Sequence, residues 1–253
     1  MLTSKNTIRA IFFDLGYTLI YFNGDFSKAV AESYRILADK LIRAGGTFNK
    51  VEFVKRFDEV MQIYYRQREI DLQEHPIEVY VHKVLAEFHQ DHLPADVCRE
   101  AMNEMYRDTE RFWQIEEDTH DTLKSLADMN FRLALISNAS DAWDVNNLID
   151  DHGLRSYFQV VLISASEGIR KPDPRIFKKA ASLMQVDLSE SVMVGDTLDA
   201  DVLGANNCGM KTVWITRRSE KQESLSAAQL KIKPDAEIRS LRELPALLNS
   251  WNQ

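Results

Sequence analysis

The feature that most constrains this chain is Ile8-Arg9-Ala10-Ile11-Phe12-Phe13, a short and mostly apolar run that stops at Asp14. A run of this length and character makes a strand buried on both faces, which needs a parallel sheet with helices above and below it. After Asp14, Gly16 and Thr18 allow a tight turn away from the sheet. Ligands of open α/β sheets bind outside the carboxyl ends of the strands, so a carboxylate at that point is placed for chemistry. Taken alone, Asp14 reads equally well as the first residue of an ordinary turn. Three later stretches decide between these readings.

Residues 21–24 read as a short connector, and from residue 26 to about 108 the periodicity is helical only. Ala29, Val30, Tyr34, Leu37, Ala38, Leu41 and Ile42 recur at helical spacing, and Gly45-Gly46 ends that helix. Residues 51–65, 76–88 and 94–111 predict three more helices, with Pro76 in the first turn of its helix. From residue 119 the pattern alternates. Helices are predicted over 119–129, 141–149, 174–184 and 198–207. Strands are predicted over 131–136, 158–163, 192–194 and 211–215, with a last strand–helix pair from Glu237. Alternation at this spacing means βαβ units and a parallel sheet. The predicted fold is α/β: a doubly wound, Rossmann-like core of residues 1–22 and 113–253, with a helical bundle of residues 23–112 inserted over the exit of the first strand. Residues 217–231 are polar and predict a surface loop with a short helix.

A hydrophobic content of 45% suits a soluble globular chain, and no apolar run approaches the ~20 residues that span a bilayer. The net charge of −8 argues against nucleic-acid binding, which needs basic patches, yet leaves room for a small anion held by local cations or a metal. The opening Met1-Leu2-Thr3-Ser4-Lys5-Asn6 carries no signal-peptide pattern, and Cys98 and Cys208 form no Cys-x-x-Cys pair. A cytoplasmic monomer or homodimer with no membrane or nucleic-acid partner is the expectation.

Three predicted strands end in polar residues: Asp14, Ser137-Asn138 and Gly195-Asp196. A fourth stretch, Gly168-Ile169-Arg170-Lys171-Pro172-Asp173-Pro174, puts a lysine just before a helix start. Neighbouring carboxylates need a cation, and a hard divalent ion with oxygen ligands suits them. A hydroxyl, a lysine and helix-start amides would hold a phosphoryl group. These four stretches, in this order, resemble the haloacid dehalogenase-like superfamily over essentially the whole chain, and the helical insert is similar to its type I cap. The resemblance implies that Asp14 is a nucleophile oriented by Thr18, and that Lys171 is a catalytic and phosphate-binding cation. It assigns Ser137 and the backbone amides that follow it, beginning with Asn138, to the phosphoryl oxygens. Mg²⁺ would lie between Asp14, Asp196 and the Gly16 carbonyl, with Asp201 orienting its water shell.

One position departs from the family's phosphatase pattern. A second aspartate usually follows the nucleophile by two residues as general acid and base, and here that residue is Gly16. Such help is worth ~10²–10⁴-fold, so its loss matters. Tyr17 is a poor substitute, since a phenol near pKa 10 gives up few protons at neutral pH. The reading is a Mg²⁺-dependent phosphatase acting on a small phosphomonoester through an aspartyl-phosphate. Its rivals are a 2-haloacid dehalogenase, disfavoured by Asp196 with Asp201, and a catalytically weak relative that binds or regulates, favoured only by Gly16. His82, His89 and His92 are too loosely spaced for a metal site, and Lys55, Arg66, Arg68 and Asp199 are left outside the site.

Overall fold

The structure is a computed structural model describing residues 7–218 and 225–253. Its centre is β1 (Ala10–Phe13), every residue of which is buried. The short strand β2 (Ile20–Phe22) follows the Asp14 turn. Four helices come next: α1 (Phe26–Arg43), α2 (Lys50–Asp71), α3 (Ile77–Glu87) and α4 (Ala95–Glu110). The chain returns through β3 (Trp113–Ile115) and α5 (Thr119–Asp128) to β4 (Arg132–Ser137) and α6 (Ala142–Asp151). It continues through β5 (Val160–Ile163), α7 (Ser164–Glu167), α8 (Pro174–Met184) and β6 (Ser191–Gly195). A π-helical turn (Leu198–Leu203) leads into α9 (Gly204–Asn206), then β7 (Lys211–Ile215), β8 (Ala236–Ile238) and α10 (Leu244–Asn252).

The sheet runs β5-β4-β1-β6-β7-β8 and every pairing in it is parallel. Chain order reverses direction at β1, which makes the carboxyl end of β1 a topological switch point. Alternation along the strands splits the core. Ile11, Phe13, Leu133, Leu135, Val192 and Val194 pack on one face of the sheet, while Ala10, Phe12, Ala134, Ile136 and Met193 pack on the other. This is the two-faced burial that the apolar run of β1 demands.

The insert has an apolar core of its own, built from residues of α1 to α4 such as Leu37, Phe53, Phe57, Val81 and Met102. No strand interrupts its four helices. The reading of residues 21–24 as a plain connector is corrected: β2 pairs antiparallel with β3, joining the two crossings into one ribbon. Phe22 packs against Phe26, Phe112 and Trp113 with ring centroids 5.1–5.4 Å apart, so burial of aromatic surface favours this pairing. Helix α2 extends six residues past its predicted end at Tyr65, to Asp71. Of the added residues, Arg68 reaches Ser140 and Glu69 accepts from Arg170, polar contacts that hydrophobic periodicity does not report.

A second seam fastens the insert. Main-chain bonds run from Glu74 N to Gly168 O (3.2 Å), from Arg170 N to Leu72 O (3.2 Å) and from Ile77 N to Ser140 O (2.8 Å). Between them lies Glu74, only 1% exposed. Its carboxylate accepts from Arg68 at 3.0 Å, Ser164 at 3.1 Å and Ser140 at 3.3 Å, and also from the Tyr64 hydroxyl. Residues 219–224 of the expected 217–231 surface loop lie outside the described residues; a 3-10 turn, Gln229–Lys231, follows them.

Candidate active site

Strands β4, β1 and β6 lie side by side, so their carboxyl ends bring Ser137, Asp14 and Asp196 to one edge of the sheet. Asp14 leaves the sheet on a hydrogen bond from its N–H to Val194 O at 2.9 Å. The turn that follows places its left-handed backbone at Tyr17 (φ 56°), and Gly16 lies outside that region. The Tyr17 ring tilts onto Trp113 at 5.8 Å between centroids, as expected for a residue packing at the turn. Buried Thr18 donates its hydroxyl to Asp14 Oδ2 at 3.4 Å, a long bond that fixes one carboxylate oxygen.

Lys171 stands on the loop between α7 and α8, and its peptide bond to Pro172 is cis. Asn138 clasps this loop: its side chain accepts from Lys171 N at 2.9 Å and donates to Lys171 O at 2.8 Å. The side chain of Asn138 is thus committed to the lysine's backbone, and the phosphoryl role expected after Ser137 is one for backbone amides. With the loop so held, Lys171 Nζ lies 2.7 Å from both Asp14 Oδ1 and Asp201 Oδ1, although the residue is only 2% exposed. The contact to Asp201 is an ion pair by distance, without the alignment of a hydrogen bond. Burial opposes the lysine's charge, but the two carboxylates outweigh it and hold the ammonium above its ordinary range.

Asp201 is buried on the π-helical turn and accepts from Thr197 N at 3.0 Å. The predicted α-helix over 198–207 is therefore corrected: its first six residues wind as π-helix. Gly195 makes room for the carboxylate, because a Cβ there would lie 2.2 Å from Asp201 Oδ2. Asp196 is held by the Thr197 hydroxyl at 3.2 Å, and Trp214 Nε1 donates to its carbonyl at 2.8 Å.

Among the described residues, Asp14, Asp196 and Asp201 form the group whose ligand atoms fit a metal, all lying within 4.8 Å of one another. Three carboxylates gather around one ammonium that pairs with two of them, so this pocket is short of positive charge. The shortage appears in the acids themselves: burial, then the neighbouring Asp201, pushes Asp14 up to about 6 against the pull of Lys171. Burial, then Asp14 and Asp201, pushes Asp196 up to about 8. An all-oxygen donor set that lacks charge fits a hard divalent cation such as Mg²⁺. The histidines set aside in the sequence form no comparable group, and Asp199 accepts from Gln229 Nε2 at 2.6 Å.

A cavity of about 540 Å³ opens over these groups, lined by Asp14, Gly16, Ser137, Lys171 and Asp196. Sequence reasoning missed most of its other walls. Trp113 of β3 and Phe26 of α1 line it, as do Glu69 of α2, Arg170 and Asp144. Arg170 donates to Glu69 at 2.7 Å, closing one side of the cavity with a link between core and insert. Arg68 turns away, to Glu74 and Ser140. No spacing rule marks such walls, since each comes from a different element. Asp144 carried a faint signal, as an acid in the first turn of a helix, and that position is common on solvated helices.

The sequence profile of the haloacid dehalogenase-like hydrolases matches residues 8–209. A glyceraldehyde 3-phosphate phosphatase of Pyrococcus abyssi is 31% identical over 214 residues, covering 82% of this chain and 81% of that protein. Among solved structures, a 2-haloacid dehalogenase of Pseudomonas syringae pv. Tomato aligns with a TM-score of 0.72 and 27% identity, over 97% of this chain and all of that one (100%). A HAD phosphatase of Thermococcus onnurineus aligns with a TM-score of 0.63 and 27% identity, over 95% of this chain and 98% of that one. The fold, the acidic strand ends and the matched span agree: this chain belongs to the haloacid dehalogenase-like hydrolase family.

Proposed function

We propose that this hydrolase is a Mg²⁺-dependent phosphatase that cleaves a small phosphomonoester through an aspartyl-phosphate on Asp14. The observation that carries the reading is the convergence of Asp14, Asp196 and Asp201 beside one buried ammonium that pairs with only two of them, which leaves the site in need of a divalent cation. In this reading Asp14 Oδ2, set by Thr18, or Oδ1, set by Lys171, attacks phosphorus. Lys171 and Ser137 take the phosphoryl oxygens, and Asn138 keeps the lysine in place. Asp14, Asp196, Asp201 and the Gly16 carbonyl would hold Mg²⁺, which when bound would neutralise charge on the phosphoryl oxygens. The cavity volume suits a substrate of metabolite size. The relative from Pyrococcus abyssi, named for a small phosphorylated sugar, supports the same class.

We also take residues 1–22 and 113–253 as the catalytic body and 23–112 as a cap, hinged at the β2–β3 ribbon. The structural likeness to a dehalogenase makes halide release the natural control. The test is turnover of a panel of phosphomonoesters with and without Mg²⁺. Hydrolysis should stop with excess chelator, and 2-chloropropionate should yield no chloride. Full activity after rigorous metal removal refutes this reading. Tight binding of a phosphate mimic with no turnover on any ester would favour a binding or regulatory role instead.

A further inference from the structure

Phosphoryl transfer from an alcohol requires a proton for the departing oxygen, and Gly16 provides none. The group that does must line the cavity. Tyr17 lines the cavity, but burial, then the nearby Asp196, push its phenol further above 10. Lys171 is engaged by two carboxylates, Glu69 by Arg170 and Asp199 by Gln229. Asp144 remains. It shares a cavity-facing side of α6 with Val145 and Leu148. The residue is half-buried overall while its Oδ1 is shielded and has no hydrogen-bond partner.

Resting on the phosphatase reading above, we propose that Asp144 is the catalytic general acid and base of this enzyme, replacing the aspartate absent at position 16. Its surroundings favour the protonated acid. Burial, then the charges of Glu110 of α4 and of Asp141 at the N-cap of α6, together with a hydrogen bond shared with Glu110, raise its carboxyl well above the ordinary 3.8. Glu110 is raised as well, mainly by burial, and accepts from Asn147 Nδ2 at 3.0 Å. Tyr106 of α4 packs near both Asp141 and Asp144 and is also raised, chiefly by burial. Arg99, the facing cation, gives its charge first to Asp141 at 2.7 Å.

Asp14 forms a bond to phosphorus as the bond from phosphorus to the ester oxygen breaks, and that oxygen takes the Asp144 proton to leave as an alcohol. Asp144, now a carboxylate, removes a proton from water. The water oxygen bonds to phosphorus, the acyl–phosphate bond breaks, and phosphate, the Asp14 carboxylate and a protonated Asp144 result.

The test is kcat/KM across aryl phosphates from p-nitrophenyl to phenyl phosphate with Mg²⁺ present. This parameter covers the steps up to departure of the alcohol. Asp144→Asn should lose less than about tenfold on p-nitrophenyl phosphate and ~10²–10⁴-fold on phenyl phosphate, steepening the dependence on leaving-group pKa. An equal loss on every ester would make Asp144 a structural residue, and no loss would remove it from the mechanism; either overturns the proposal. Gly16→Asp gives a second reading that needs no change at Asp144. A Cβ at 16 meets only Trp113, at 3.5 Å, so the variant has room to fold. It should give no gain that grows with leaving-group pKa, and a large selective gain overturns the proposal. A wild-type enzyme inert on the whole series would refute the phosphatase reading itself and Asp144 with it.

Discussion

Lys171→Met preserves the length of the side chain and deletes its charge. Nζ lies 2.7 Å from each of two carboxylate oxygens and is almost wholly enclosed. At an effective dielectric of about 20, each contact at that distance is worth ~6 kcal/mol before desolvation is counted. Removing one partner of a buried ion pair costs ~3–5 kcal/mol net, because the remaining charge is left uncompensated. For a chain of 253 residues that is a fall in Tm of ~10 °C in metal-free buffer. Mg²⁺ neutralises the same carboxylates, so its addition should raise Tm more in the variant than in the wild type. Turnover should still fall ~10²–10³-fold, since a cation preset for the phosphoryl oxygens is gone. Differential scanning calorimetry with and without Mg²⁺, followed by p-nitrophenyl phosphate turnover, reads both effects. Equal Mg²⁺-induced gains in Tm, with kcat within threefold of wild type, would refute the view that Lys171 balances this acidic cluster.

Glu74→Gln should lower Tm by ~10 °C, because Arg68 and Arg170 lose a buried counter-charge at the second seam. A change below about 2 °C would mean the seam's main-chain bonds hold the insert unaided. Asp144 gives a pH signature. Folding raises its pKa above 3.8, so above that pH the folded state keeps a proton that the unfolded state has lost, and stability falls as pH rises. One such group contributes a slope of about 1.4 kcal/mol per pH unit until its folded pKa is passed. Asp144→Asn removes that slope, so Tm of the variant should gain on wild type between pH 5 and 7; parallel curves would contradict the raised pKa.

The insert does not hang on two free connectors. Its crossings are paired as β2 and β3, and Glu74 with Arg170 and Glu69 ties it to the loop that carries Lys171. Any opening motion at the ribbon therefore has to break or carry this seam, which couples the position of the insert to the lysine loop.

The sequence by itself determined the layers and the ends of the strands. A strand with two apolar faces can be buried only inside a covered parallel sheet, and period-2 and period-3.6 patterns place the other elements around it. Asp14, Ser137, Lys171 and Asp196 were legible because each sits where an apolar run stops or a helix starts, a junction that local composition marks, whereas Asp201 was read only from the resemblance to the family. Tertiary structure alone decided the rest. It turned Asn138 onto Lys171, wound residues 198–203 into a π-helical turn, and put the left-handed backbone at Tyr17 rather than Gly16. It also joined Glu74 to Arg68, Ser140 and Ser164 across 6, 66 and 90 residues of chain, and set Asp144 in one cavity with Asp14. Polar contacts of that kind carry no periodicity. Their energies depend on distance and burial between elements remote in sequence, and those quantities exist only once the chain has folded.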